Sequence, residues 1–349
     1  MHELALYRKY RPQTFKEVIG QDHIVDVLKS SVEKAKVSHA YLFIGSRGTG
    51  KTSVARIFAK EIGVSDNDLY EIDAASNRGI EDIKELRTGA RVLPFDSKYK
   101  IYIIDEVHML SKDAWGALLK LLEEPPRHVI FILATTEVHK VPDTIVSRCQ
   151  VFTFKKPTNL ILKNVILDVT KKEGFTIDGA GAELLAILGD GSFRDALGTL
   201  QKVLNHSTDK NKKKKIEITE IEEITGAPKT TLVNEFLESL ISKEIEKGIS
   251  TIRKTVTLNN DISLYARLII EKMRATLILK YAPKLEKEML SDFGEDELAF
   301  LKNLAKNDKE NIFCSHTLSV FLDAFNNTNR AFISELPLEL ALIKVLNKE

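Results

Sequence analysis

Residues 39–52 read HAYLFIGSRGTGKT, and this stretch decides the fold. Residues 41–44 (YLFI) form a short apolar run of strand character. Gly45-Ser46-Arg47-Gly48-Thr49-Gly50-Lys51-Thr52 then satisfies G-x-x-x-x-G-K-[ST], and Val54, Ile57, Phe58 and Ile62 recur at helical spacing. Strand, glycine-rich turn and helix in that order make a P-loop. Glycines let backbone N–H groups curl round a phosphate without Cβ clashes, and the helix N-terminus adds its positive dipole end. Lys51 reaches the β- and γ-phosphates, the Thr52 hydroxyl can ligate Mg2+, and Ser53 follows in the same turn. The stretch predicts binding of a nucleoside triphosphate.

Working outward, four more β-rich runs lie at 69–73, 101–104, 129–135 and 151–154, with helical patterns between them. Most are continuously apolar rather than alternating, so both faces should be covered by helices, as in a parallel sheet. Strand and helix alternating over about 155 residues predict a three-layer α/β domain with a five-stranded parallel sheet.

The run IYII leads into Asp105-Glu106. Asp105, at the strand's C-terminal end, is placed to hold Mg2+, and Glu106 to act as the general base toward water. One carboxylate could simply cap the following helix; two at this strand end, after a P-loop, point to hydrolysis. The run VIFILATT ends in Thr135-Thr136, which would set a hydroxyl near the γ-phosphate. In Ser147-Arg148-Cys149 the arginine faces away from its own P-loop in the inferred strand order. It is either a finger offered to a neighbouring subunit or a surface ion pair. Arg194 lies in GSFRDA (191–196), where Ser192 and Asp195 form a capping signature that opens a helix.

The chain has 349 residues, 43% hydrophobic and 29% charged, which suits two or three domains with their own cores. Fifty-one basic and 50 acidic residues leave a net charge of +1, so no global charge announces nucleic acid or membrane. Cys149 and Cys314 are the two cysteines, too few for a disulfide framework or an all-cysteine zinc site; both read as buried small residues. His108 reads as structural rather than as a ligand, and Trp115 as packing or interface. With no apolar leader pattern and no long apolar stretch, the expectation is a soluble, cytoplasmic protein.

Beyond Pro157 the β signal fades. Residues 158–205 read as three short helices, and 206–215 (HSTDKNKKKK) as an exposed, solvated loop. From residue 230 onward apolar residues keep three- and four-residue steps, as in an antiparallel helical bundle. The predicted division is 1–157 for the P-loop domain, 158–225 for a helical lid and 226–349 for an all-α collar.

These pieces resemble the AAA+ ATPases and, more closely, the gamma/tau family of bacterial DNA polymerase III, the ATPases of the sliding-clamp loader. The carrying residues are LYRKYRPQTFKEVIGQ (6–21), HAYLFIGSRGTGKT (39–52), EIDAASNRGIEDIKEL (71–86), IYIIDEVHMLSKDAWGALLKLLEEPP (101–126), ILATTEVHKVPDTIVSRC (132–149) and GSFRDAL (191–197). They cover about the first 200 residues, and the rest matches in helical character alone.

The resemblance implies an ATP hydrolase, with ATP and Mg2+ as cofactors, working within the polymerase holoenzyme without itself polymerising. It makes Thr136 the sensor-1 residue, Arg148 the trans finger and Arg194 sensor 2. The segment 7–21 would wrap the adenine, with Val18 and Ile19 against the base and Tyr7, Arg11 and Pro12 nearby. Asn77, Arg78, Gly79 and Lys84 would face primer-template DNA, and the surface at 109–119 would meet the clamp. Implied partners are delta- and delta-prime-type subunits, further copies of the chain, the clamp and DNA, in a nucleoid-associated complex away from membranes.

Two departures stand out. Family members usually carry a four-cysteine zinc module between the P-loop helix and EIDAAS; residues 58–70 pass here without Cys or His, so no zinc site is expected. The chain also ends after the collar, which corresponds to a gamma-length protein or one cut to that length. Two competing readings are a non-hydrolysing scaffold subunit and a hexameric DNA translocase.

Overall fold

A computed structural model describes residues 4–210, 215–286, 290 and 293–347. The chain forms two compact units, Met1–Leu162 with Gly189–Gly198, and Lys163–Leu188 with Thr199–Glu349.

The first unit is built on five parallel strands: β1 (Ala40–Ile44), β2 (Leu69–Asp73), β3 (Lys100–Asp105), β4 (Val129–Thr135) and β5 (Gln150–Thr153), in the order β2-β3-β4-β1-β5. As expected from continuous apolar runs, both faces of β1, β3 and β4 are buried, whereas the edge strands β2 and β5 are largely exposed. Because side chains alternate across a strand, Leu42, Tyr102, Ile104, Phe131 and Leu133 pack on one face. There they meet Ile83 and Leu86 of helix α4 (Ile80–Arg91) and Trp115, Leu118 and Leu122 of α5 (Lys112–Glu123). On the other face Tyr41, Phe43, Ile101, Ile103, Ile130 and Ile132 meet Ile24 and Leu28 of α2 (Asp22–Glu33) and Val54, Ile57 and Phe58 of α3 (Lys51–Glu61).

Strand order decides where chemistry can occur. β4 lies between β1 and β3, with Ile44 beside Thr135 and Ile104 beside Leu133. The C-terminal ends of β1, β3 and β4 therefore open on one edge, where ligands of such sheets bind. At the far edge Asp68 has no solvent exposure and accepts the backbone N–H groups of Phe95, Asp96 and Ser97, pinning the loop after α4. Those hydrogen bonds outweigh the cost of burial and hold its carboxyl at about 2.

In the second unit Phe236, Tyr265, Phe313 and Phe321 are fully buried, and Phe236 meets both Tyr265 and Phe321 edge-on, at 6.0 and 5.7 Å. These rings hold together α11 (Thr230–Ser242), α12 (Ile245–Thr257), α13 (Ile262–Tyr281) and three further helices, Glu295–Asn307, Ser315–Thr328 and Leu336–Asn347. The sequence reading of 206–215 as a loop needs correction. Helix α9 (Phe193–Lys210) runs on through 206–210, residues 211–214 lie outside the described residues, and Lys215 opens a two-residue strand, Lys215–Ile216. That strand pairs in parallel with Thr176–Ile177, a ribbon too short to leave a periodic signal. Among the described residues no helix is long and apolar enough to cross a membrane.

Candidate nucleotide site

The P-loop takes up the conformation its glycines allow. Gly48 and Gly50 adopt φ of +72° and +102°, the left-handed region that β-carbons disfavour. A Cβ on Gly48 would also stand 2.0 Å from Ser192 Oγ. The Lys51 ammonium is buried inside the loop and donates to the carbonyls of Gly45 (2.7 Å) and Ser46 (3.0 Å). Burial lowers its pKa, and Asp105 and Glu106 act in the opposite direction. Thr49 Oγ1 ties the turn to the Ser46 carbonyl at 2.9 Å.

Under the loop the acidic pair is already organised. Thr52 Oγ1 donates to Asp105 Oδ2 at 2.9 Å, and the Glu106 N–H donates to Asp105 Oδ1 at 3.0 Å. A hydroxyl and a carboxylate side by side are hard oxygen donors, the set Mg2+ takes. Glu106 sits at φ +47°, a backbone state costly for a residue with a side chain and tolerated where the surroundings impose it. Thr136 Oγ1, one residue past the end of β4, donates to Glu106 Oε2 at 3.1 Å.

Two more cationic groups join this edge. Ser192 Oγ accepts the Asp195 N–H at 3.2 Å, as the capping signature required. The Phe193 N–H bonds the Gly48 carbonyl at 3.1 Å, so the start of α9 is seated on the P-loop itself. Arg194, between them, lies 5.8 Å from the Tyr7 ring centroid and acts on the charge of Lys51. Arg11 Nε donates to Ser53 Oγ at 2.9 Å, and burial, then the neighbouring Arg56, pulls its pKa down. Val18 packs against the core, whereas Ile19 is 49% exposed, next to Gly20. Gln21 is buried and brackets Lys155, donating to its carbonyl at 2.7 Å and accepting its N–H at 3.1 Å.

Arg148 stands apart from this group. Its guanidinium pairs with Glu123 at 2.8 Å and donates to the Thr144 carbonyl at 2.7 Å. Arg78 and Lys84 are exposed at the start of α4. In the segment 109–119 the apolar residues Leu110, Ala114, Trp115 and Leu118 are buried in the core, so its free surface is largely polar.

Sequence reasoning found the residues at the strand ends but not what fixes them. The seating of Ser192 on Gly48, the Gln21 bracket and the surroundings of His108 are contacts between segments far apart in the chain.

A five-stranded parallel sheet, a P-loop after β1, an acidic pair after β3 and a hydroxyl after β4 define an AAA+-type nucleotide-binding fold. Solved structures bear out the fold class: the Thermotoga maritima RuvB Holliday junction branch migration motor superposes with a TM-score of 0.54 at 21% identity, over 73% of this chain and 87% of that one. The family model for DNA polymerase III, delta subunit, matches residues 20–71 and 64–158. DNA polymerase III subunit tau of Bacillus subtilis (strain 168) is 40% identical over 306 residues, 81% of this chain and 53% of that protein. DNA polymerase III subunit gamma of Buchnera aphidicola subsp. Schizaphis graminum is 34% identical over 334 residues, 89% of each chain. The chain belongs to the DNA polymerase III gamma/tau family, and it spans about half the length of the tau and gamma/tau relatives it matches.

Proposed function

We propose that the chain is an ATP-hydrolysing motor subunit of a sliding-clamp loader, organised as a P-loop domain (1–157), a lid (158–225) and a collar (226–349). The observation that carries this reading is the connected array Thr52–Asp105–Glu106–Thr136 beneath the P-loop, flanked by Lys51, Arg11 and Arg194. Residues 45–53 cradle the phosphates of ATP, and Tyr7, Arg11, Pro12, Val18 and Ile19 line the base. Thr52 and Asp105 would hold Mg2+, which would supply charge neutralisation at the phosphates. Lys51 takes up γ-phosphate charge, Glu106 orients and deprotonates water, and Thr136 holds that carboxylate in place. Arg194 couples the start of α9 to the phosphates. Arg148, presented at the subunit's surface, completes a neighbour's site. A scaffold role would leave Lys51, Asp105 and Glu106 without use.

Clamp docking calls for exposed apolar side chains. Val92, Leu93 and Phe95 are 60%, 73% and 82% exposed on the loop that Asp68 pins, which suits them better than the segment 109–119. ATP turnover of the assembled loader, measured with and without clamp and primed DNA, tests the whole reading. Stimulation requiring both is expected, and Arg148→Ala should bind ATP yet lose assembly-dependent turnover by about 10³-fold or more. Normal turnover by that variant in the assembly would remove the trans finger. A rate indifferent to clamp and DNA would leave only the scaffold.

A further inference from the structure

Glu106 has a second neighbour that the array above does not use. His108 sits two residues on, its side chain only 6% exposed, with a carboxylate on either side of its ring. Nδ1 lies 3.0 Å from Thr135 Oγ1 and 3.5 Å from Glu106 Oε2. Nε2 lies 3.2 Å from Glu137 Oε1. The Thr135 oxygen is itself fully buried and accepts the Glu137 N–H at 3.0 Å, so Thr135 and Glu106 both meet the ring at Nδ1 while Glu137 meets it at Nε2. Glu137 is fixed in turn by Lys140 at 2.8 Å and lies 3.5 Å from His139 Nε2. The Lys140 hydrogen bond keeps the Glu137 carboxyl below its usual value.

We propose that His108, clamped at Nε2 by Glu137, is a positioning residue that sets the orientation of the Glu106 carboxylate. This rests on Glu106 being the water-activating base. Both Thr136 Oγ1 and His108 Nδ1 approach the same oxygen, Oε2, so Oε1 is the one offered to water. The left-handed backbone at Glu106 lifts its side chain out of the strand's ordinary direction, so neighbouring groups rather than the strand must fix it. Burying an imidazole between two carboxylates costs solvation, and a plain packing role would be met by an apolar side chain. The same contacts extend from Glu106 to the exposed turn 137–140, so a group binding that turn would reach the base through His108.

Two amide substitutions separate the two ends of the ring. His108→Asn keeps a polar group at the place of Nδ1 and loses the reach to Glu137; His108→Gln keeps one at the place of Nε2 and loses Glu106. With the full chain assembled with its partner subunits, single-turnover ATP hydrolysis, ATP affinity and Tm are measured for both, for His108→Ala and for Glu106→Gln. His108→Ala should slow hydrolysis about 10- to 100-fold, the scale of a misplaced catalytic group, with ATP affinity unchanged. His108→Asn should recover to within about threefold of the native rate, while His108→Gln should remain as slow as His108→Ala. Native rates in His108→Ala, or rescue by Gln instead of Asn, would overturn the proposal. So would a loss that tracks Tm across the three His108 variants. Unimpaired hydrolysis in Glu106→Gln would instead remove Glu106 as base, a failure of the underlying reading seen separately from the His108 series.

Discussion

Asp105 in the first unit and Asp308 in the second are both held by hydrogen bonds, but they are held differently. The Asp308 side chain has no solvent exposure and accepts from the Ile312 N–H at 2.7 Å, the Phe313 N–H at 2.9 Å and Lys280 Nζ at 2.7 Å. Its lone pairs and its charge are consumed inside the fold. Asp105 accepts from Thr52 and from the Glu106 N–H, is part-exposed at the open edge of the sheet, and has the Glu106 carboxylate as its neighbour. A carboxylate whose capacity is used up stabilises; one whose capacity is left over binds and reacts.

That contrast is broken most sharply by one substitution at each place. Asp105→Asn keeps the hydrogen-bond shape but removes the charge on which the proposed Mg2+ site depends. Hydrolysis should fall by about 10²-fold or more while Tm stays close to native. Asp308→Asn leaves Lys280 without its anion and weakens two charge-assisted N–H bonds. It should cost about 2–3 kcal/mol of stability and leave ATP affinity unchanged. Chemical denaturation and nucleotide titration on the two variants give the comparison directly. If Asp105→Asn unfolds the protein, or Asp308→Asn loses nucleotide, the division between spent and unspent carboxylates does not hold.

Two glycines sharpen the same point with smaller effects. Gly48 has positive φ and no room, since its Cβ would meet Ser192 Oγ at 2.0 Å. Gly248 lies inside α12, where its Cβ would meet Leu342 Cδ2 at 2.6 Å and Ser239 Oγ at 2.9 Å. Gly48→Ala should weaken ATP binding by displacing the start of α9 from the P-loop. Gly248→Ala gains about 1 kcal/mol of helix propensity, but overpacking of about 1–3 kcal/mol should outweigh it. Its expected outcome is a lower Tm with native ATP affinity. A Gly48→Ala/Ser192→Gly pair that recovers part of the binding would show that the serine, and not the backbone strain alone, is responsible.

How much of this could be read from the sequence differs between the same two regions. The sheet was legible because YLFI, IYII and VIFILAT are short continuous apolar runs set between helical patterns, as buried parallel strands are. The residues proposed for the site were legible because strand ends are where a parallel sheet exposes groups. The fixing contacts were not: Thr136 to Glu106 spans 30 positions, Gln21 to Lys155 spans 134, and no local pattern records either pairing. The polar tract after Asn205 misled because helical hydrogen bonds tolerate Ser, Thr and Asp when the turn continues a long helix.

The two cysteines give the smallest and cleanest comparison, and both are partly buried rather than fully so. Burial pushes the Cys149 thiol up to about 12. At Cys314 burial also acts upward, but hydrogen bonds from the Thr317 hydroxyl and from backbone N–H groups of the helix it caps outweigh it, and the thiol falls below its usual value. The thiolate is the reacting form, so reactivity appears as pH rises through each pKa. At pH 8 only about one Cys149 in ten thousand is ionised by that value, whereas the lowered Cys314 is the more ionised of the two. Alkylation at pH 8 followed by peptide mass mapping should therefore mark Cys314 in the native protein and leave Cys149 until denaturant is added. Thr317→Val should slow labelling of Cys314 without exposing Cys149. Equal labelling of both in the native state would mean that the sheet unit opens around β5 as readily as the end of a surface helix does.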